Sequence, residues 1–265
     1  MASLYLNESL HPDAFEAGRR LPVVGADARH ATQVARIRKG ERVAVGDGRG
    51  RLAWGPVSFI GQGEFAITAE DVVIEVPRAP RLVLVQALAK GDRDELAIQA
   101  ATELGVDVVV PWQAARSVSR WDGPKVAKGV ERWRAVVREA SKQAIRPTVP
   151  EVLDLVDTKA LLKSLGSLSA LRLAALAQEP PRSESKGLIL VLEPTAQHSL
   201  ASQLSMTGLE TITLIVGPEG GISQEELLLL DAAGAVPVRL GAEVLRTSTA
   251  GPAALAALAV LLERW

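Results

Sequence analysis

Two apolar stretches near the C-terminus, each running into a glycine-containing loop and then a helix, constrain this chain more than any other feature. The first is Leu214-Ile-Val-Gly-Pro-Glu-Gly-Gly-Ile-Ser-Gln-Glu-Glu226, the second Leu240-Gly-Ala-Glu-Val-Leu-Arg-Thr-Ser-Thr-Ala-Gly251. Strand–loop–helix units this close together fit the carboxyl edge of one parallel sheet, where open α/β folds bind ligands. Gly217, Gly220 and Gly221 are expected to turn the backbone with positive φ and let it approach a ligand. Ser223 and Glu226 have capping-box spacing, so a helix starts there with free backbone N–H groups at its N-terminus. A tight turn with no ligand would use the same residues. Two in succession, each after a buried-looking strand, favour a site.

The rest of the chain divides in two. Residues 1–76 read as short strands and turns: 43–50 is a strand with a Gly-rich turn, and 52–60 and 64–76 are further strands. No long amphipathic helix interrupts them, which predicts a small β-barrel. Pro77 and Pro80 punctuate the chain as a linker. From 81 onward strands alternate with helices, the α/β signature, so 77–265 forms a second domain. Strands are predicted at 81–88, 106–110, 171–177, 188–192, 211–216 and 236–240. Asp92 and Glu95 are expected to cap a helix ending near Gly105. A helix over 130–145 carries Trp133, Val137, Ala140 and Ala144 on one stripe. Residues 180–186 read as a polar, mobile loop. The last helix, 248–262, is Ala/Leu-rich almost all round and needs cover from the sheet or a partner chain.

Composition narrows the function by exclusion. The chain has no cysteine, which removes disulfides, thiolate chemistry and zinc–sulfur sites. Its three histidines, His11, His30 and His198, are scattered, so no metal site is expected. No signal peptide and no membrane-spanning run are apparent, and a cytoplasmic location is expected. Net charge is only −1, yet its distribution is uneven. Residues 19–51 hold nine Lys/Arg against three Asp/Glu, and 116–146 again nine against three; 188–265 reverses to three against eight. Two basic regions favour a polyanion-binding face over merely solvated helix surfaces. Neither the dinucleotide fingerprint Gly-x-Gly-x-x-Gly after an early strand nor a P-loop is present, which argues against an oxidoreductase and a P-loop phosphotransferase.

The motifs Gly-Pro-Glu-Gly-Gly-x-Ser-x-x-Glu at 217–226 and Leu-Gly-x-x-Val-Leu-Arg-Thr-x-Thr-Ala at 240–250 closely resemble the RsmE family. These are 16S ribosomal RNA (uracil-N3)-methyltransferases of the SPOUT superfamily. Gln86-Ala-Leu-Ala-Lys-Gly-Asp-Arg93, Ala100-Ala-Thr-Glu-Leu-Gly-Val-Asp107 and Glu139-Ala-Ser-Lys-Gln-Ala-Ile-Arg146 with Val149-Pro150 extend the resemblance over nearly the whole chain. It departs at Glu243 and Ser248, where the family usually carries Arg and Glu.

The resemblance implies a PUA-like RNA-binding β-barrel, then a trefoil-knotted α/β domain that dimerises around its C-terminal segment. It implies S-adenosylmethionine (SAM) held by three loops: Leu192, Glu193 and Pro194; Val216, Gly217, Pro218, Gly220 and Gly221; and Leu240, Gly241, Val244, Leu245, Thr247, Ser248 and Thr249. Such loops offer an adenine both an apolar slot and backbone hydrogen-bonding groups.

Methylating N3 of uridine requires loss of a proton and stabilisation of a developing anion. Arg246 on the cofactor loop is the candidate stabiliser. Arginine does not serve as a base. Glu219, less favourably Glu193, or solvent must take the proton. Arg36, Arg38, Lys90, Arg93, Lys142 and Arg146 are candidates for contacts to 16S RNA or the small subunit. Trp112 and Trp121 are candidates for base stacking or for core packing, the latter better suited to Trp112. A SPOUT methyltransferase acting on another RNA, or a non-catalytic RNA-binding module, are the alternatives.

Overall fold

The computed structural model describes residues 3–169, 187–203 and 208–265. The strand expected at 171–177 and the loop expected at 180–186 lie outside the described residues. The chain folds as two compact units, Met1–Val76 with Arg138–Val149, and Pro77–Val137 with Pro150–Trp265.

The first unit is a curled, largely antiparallel sheet of β1 (Leu4–Leu6), β2 (Arg20–Val24), β3 (Arg42–Gly46), β4 (Arg51–Gly61), β5 (Glu64–Thr68) and β6 (Asp71–Ile74). A short helix α1 (Gly25–Arg29) continues into a wider turn over His30–Ala35, local structure that the strand pattern did not reveal. The order is β1-β3-β4-β5-β2, with β6 also on β4 and β1 parallel to β3. The strand expected over 64–76 is therefore two. Long β4 serves both halves of the sheet, and its register with β5 shifts between Val57 and Phe59. Such a bulge bends a strand and closes a sheet. Gly55 lets β4 pass close to the end of β5, since a Cβ there would overlap the carbonyl oxygen of Thr68. Inside, Tyr5 and Phe65 meet edge to face at 5.1 Å among Leu21, Val23, Val45 and Ile67.

The sequence pattern puts residues 138–149 in the second domain, yet they pack with the first unit. A buried charge explains why. Asp27 is 4% exposed and accepts hydrogen bonds from the backbone N–H of Leu6 (2.8 Å), from Arg138 (3.0 Å) and from Lys142 (3.2 Å). Burial alone would raise its pKa, but the guanidinium of Arg138 and the Leu6 N–H more than offset this and leave it lowered. A buried carboxylate without such partners would cost several kcal/mol, about 3–5.

The second unit contains β7 (Arg81–Ala87), α2 (Arg93–Glu103), β8 (Val108–Gln113), α3 (Pro124–Gln143, to Val137 in this unit), β9 (Glu151–Val152), β10 (Val156–Asp157) and α4 (Thr158–Ser169). It continues with β11 (Gly187–Leu192), β12 (His198–Ser199), β13 (Thr211–Val216), α5 (Gln224–Ala232), β14 (Val236–Arg239) and α6 (Thr247–Leu261). Among the described residues the sheet has eight strands, all paired in parallel, in the order β10-β8-β7-β13-β11-β14-β12 with β9 on β8.

Parallel strands need crossovers, and the buried runs of Val, Ile and Leu show that both faces are covered. On one face Val83, Val85, Val110, Ile189 and Ile215 pack with Leu161 and Leu165 of α4. On the other, α6 packs against α2, and Gly251 brings it onto Leu84, where an added Cβ would lie 3.1 Å from the Leu84 side chain. Along α3, Trp133, Val137 and Ala140 are buried as the stripe predicts, whereas Ala144, beyond the helix, is exposed.

The capping expected at α2 takes another form. Asp92 has φ 58° and no side-chain capping bond; the buried Asp94 instead accepts from the backbone N–H groups of Ala89 (3.2 Å) and Glu95 (2.9 Å). Glu95 itself pairs with Arg132.

Candidate functional site

Strand β11 lies between β13 and β14, and the loops that follow these three strands close on one cavity of about 380 Å³. That is the size range of small-molecule sites, roughly 300–1,000 Å³. The site therefore sits at the carboxyl edge of a parallel sheet, where the strand–loop–helix units place it.

Of the residues expected to hold a cofactor, Leu192, Glu193, Pro194, Val216, Gly217, Pro218, Gly221, Leu240, Gly241, Val244, Leu245 and Thr247 line the cavity. So do Glu219 and Arg246. Gly220, Ser248 and Thr249 do not line it. Sequence reasoning missed Ile222, Val238, Arg239, Glu243 and Ala250 as wall residues, and Arg93, expected at RNA, lines the cavity as well. Their neighbours in the two motifs were the available signal.

The loop after β13 is built to be rigid. The capping box forms in both directions: Ser223 Oγ accepts from the Glu226 N–H (3.2 Å), and Glu226 Oε2 accepts from the Ser223 N–H (3.1 Å). Glu226 is buried, and its other oxygen accepts from the Ala115 N–H (2.8 Å) and the Thr158 hydroxyl (2.7 Å). Burial would raise its pKa, but these hydrogen bonds, from Thr158 first, leave it lowered.

The glycines act differently from expectation. Only Gly221 of the three has positive φ, 71°. At Gly217 an added Cβ would lie 2.6 Å from Ile222, so this glycine serves packing within the loop. At Gly220 the nearest neighbour would be Arg116, at 3.3 Å, and its carbonyl accepts from the Arg116 guanidinium at 3.2 Å.

Thr247, buried at the start of α6, donates to the Gly217 carbonyl (2.8 Å) and accepts from Gln86 (2.9 Å), tying the third loop to the second. Arg246 precedes it in extended conformation (φ −65°, ψ 153°) as the N-cap, and its exposed side chain has no hydrogen-bond or ion-pair partner among the described residues. Arg239 donates to the carbonyls of Ala196 (2.6 Å) and Gln197 (2.8 Å), holding the first loop against β14. Glu193 accepts from Thr195.

Glu219 is engaged. It accepts from Arg93 at 2.9 Å and from the Lys90 N–H at 3.1 Å. Burial pushes its pKa up, but its own N–H, Arg93 and the Lys90 N–H more than compensate and leave it lowered. A carboxylate held ionised in this way is a weaker base than an ordinary glutamate.

The candidates for RNA contact separate. Arg36, Arg38, Lys90 and Arg93 are exposed, although Arg93 is paired with Glu219, and Arg146 is half-buried. Lys142 is 8% exposed and bonded to Asp27 and Glu139, so it does not present its charge to a phosphate. Trp112 is fully buried, with its indole N–H on Thr158 (3.2 Å). Trp121 is half-buried: it packs over Gly129, an added Cβ there lying 2.5 Å from its ring, and edge to face on Trp133 at 5.5 Å. Among the described residues no cluster of His, Asp and Glu suits a metal ion, and no helix is long and apolar enough to cross a membrane.

Known proteins share this architecture. Residues 77–259 match the family model of an RNA methyltransferase domain, and residues 25–62 that of an RNA methyltransferase PUA domain. The ribosomal RNA small subunit methyltransferase E of Mycobacterium tuberculosis is 41% identical over 250 residues, covering 94% of this chain and 90% of that protein. A methyltransferase of Legionella pneumophila, solved in complex with SAM, superposes with a TM-score of 0.77 at 25% identity, covering 98% of each chain. The fold is also that of the ribosomal RNA small subunit methyltransferase E of Neisseria gonorrhoeae (TM-score 0.80, 24% identity, 98% of each chain). With a PUA-like unit before a parallel-sheet methyltransferase unit, and with this identity along nearly its whole length, the chain belongs to the ribosomal RNA small subunit methyltransferase E family.

Proposed function

We propose that this protein is a SAM-dependent methyltransferase that modifies N3 of a specific uridine in 16S ribosomal RNA. The observation that carries the reading is the convergence of three motif-bearing loops on one cavity in a member of this family. The residues present fit the cofactor. Leu192, Val216, Leu240 and Leu245 give an apolar slot, and the loop backbones supply donors and acceptors within it. The knot implied by the resemblance would be tied by these same loops.

The cofactor, when bound, supplies the electrophilic methyl group. The protein's part is electrostatic. Arg246 stands on the cavity wall with its charge unspent on any partner among the described residues, which suits it to a uracil becoming anionic. Glu219, the other assigned residue, is held ionised by Arg93. Its lowered basicity argues for solvent as the acceptor of the N3 proton, with Glu219 anchoring the turn at Lys90 against the wall. Exposed Arg36 and Arg38 of the PUA-like unit are assigned to RNA phosphates.

We further propose a homodimer. Leu96 of α2 and Val260, Leu261 and Trp265 at the end of α6 are exposed, and a second copy would cover such side chains. The same reading assigns its work to the cytoplasm.

The test is in vitro methylation of small subunits and of naked 16S RNA with isotopically labelled cofactor, followed by mass mapping. Label at N3 of one uridine is expected. Label on another base or another RNA, or calorimetry showing no cofactor binding, would overturn the reading.

A further inference from the structure

Sequence alone marks 116–146 as one basic region, but the structure spends its charges unevenly. Arg138 and Lys142 are consumed by Asp27, Glu8 and Glu139. Arg132 pairs with Glu95, and Arg134 with Glu131. Arg116 and Arg120, on the loop between β8 and α3, have no carboxylate partner among the described residues. Each donates only to a backbone carbonyl, Arg116 to Gly220 at 3.2 Å and Arg120 to Ala115 at 3.3 Å. Both are exposed, and between them Val118 is 70% exposed.

This loop is held in place, not trailing. The Ala115 N–H is bonded to buried Glu226 at one end, and the Trp121 N–H to Gln113 (2.9 Å) at the other. Ser117 is buried inside it and Trp121 is seated on Gly129. The residue that Arg116 touches, Gly220, stands between Glu219 and Gly221 of the cavity wall.

We infer that the loop 114–121 is an RNA-binding element of the methyltransferase unit, with Arg116 and Arg120 contacting phosphodiester groups beside the cavity and Val118 packing on an adjacent base or sugar. The inference deepens the function proposed above and rests on it. Two guanidiniums fixed in advance on a braced loop lose little freedom on binding, and each keeps N–H donors for a phosphate. Because Glu226 and Gly220 join this loop to the cofactor loop, RNA gripped here is placed in register with the cavity.

The test is binding of in vitro transcribed 16S RNA across a salt series by full-length wild type, Arg116→Gln, Arg120→Gln and the double variant, with cofactor affinity measured by calorimetry. Each single variant should lower the slope of log K against log salt by about 0.7–0.9, and the double variant by about twice that. Cofactor affinity should stay within about twofold. An unchanged slope in the double variant overturns the inference. So does a parallel loss of cofactor affinity in Arg120→Gln, which does not touch the cofactor loop, because that would make the arginine a structural brace. Wild type that binds RNA with the expected slopes but transfers no methyl group would sink the proposed function and leave the loop's role standing. Methyl transfer with unchanged slopes would do the reverse.

Discussion

At Arg246 the proposed reaction makes its sharpest demand on a single side chain. Arg246 lines the cavity with an exposed side chain, and its charge matters most when the uracil becomes anionic. Arg246→Ala should lower single-turnover methyl transfer by about 10²–10³-fold while calorimetric cofactor affinity holds. A parallel loss of affinity would instead make it a cofactor residue. Gly217 is the intolerant glycine of the neighbouring loop. Gly217→Val drives a Cβ toward Ile222 and should cost about 1–3 kcal/mol in urea unfolding, with loss of cofactor binding. Gly220→Val meets only Arg116 and should spare the cofactor. Ser248→Ala should change turnover little, because Ser248 lies outside the cavity wall.

One buried carboxylate organises several elements. Glu226 caps α5, receives the start of the 114–121 loop and receives Thr158 at the head of α4. Glu226→Ala should destabilise the protein by about 2–4 kcal/mol, since it removes a capping box and leaves the Ala115 N–H without its acceptor. The pH dependence has a definite sign. The folded pKa lies below the unfolded value of about 4.3, so the carboxylate's contribution is fully present above that value. It is lost as pH falls through the lower, folded value. Acid titration of wild-type stability should therefore fall more steeply below about pH 4.3 than that of Glu226→Gln, which keeps the side chain's shape without its titration. Superimposable acid limbs would show that Glu226 carries no such linkage.

At the scale of the whole molecule, the first unit borrows 138–149 from far along the chain. A fragment 1–76 would bury Asp27 without Arg138 and Lys142, an unpaired charge costing about 3–5 kcal/mol. Such a fragment should lack a cooperative urea transition, and a fusion restoring 138–149 should regain one. A cooperative 1–76 fragment would show that Asp27 finds other partners. The exposed Val260, Leu261 and Trp265 should be covered by a second copy. Sedimentation at micromolar concentration should give the dimer mass, and Trp265→Glu should shift it toward monomer.

Local chemistry was legible in the sequence. Strand 211–216, the Ser223–Glu226 box, the bounds of α6 to within a residue and most of the cavity wall follow from motifs whose parts sit next to one another in the chain. Turn geometry and capping depend on neighbours a few residues away, and these a sequence displays. Only the tertiary structure decided the rest. It showed that Gly217 answers to Ile222, that Arg93 spends its charge on Glu219, and that Lys142 is buried beside Asp27 while Arg116 and Arg120 stay unmatched by any carboxylate among the described residues. Whether a charge is free or consumed depends on partners from distant parts of the chain. A count of basic residues along a sequence carries no information about those partners.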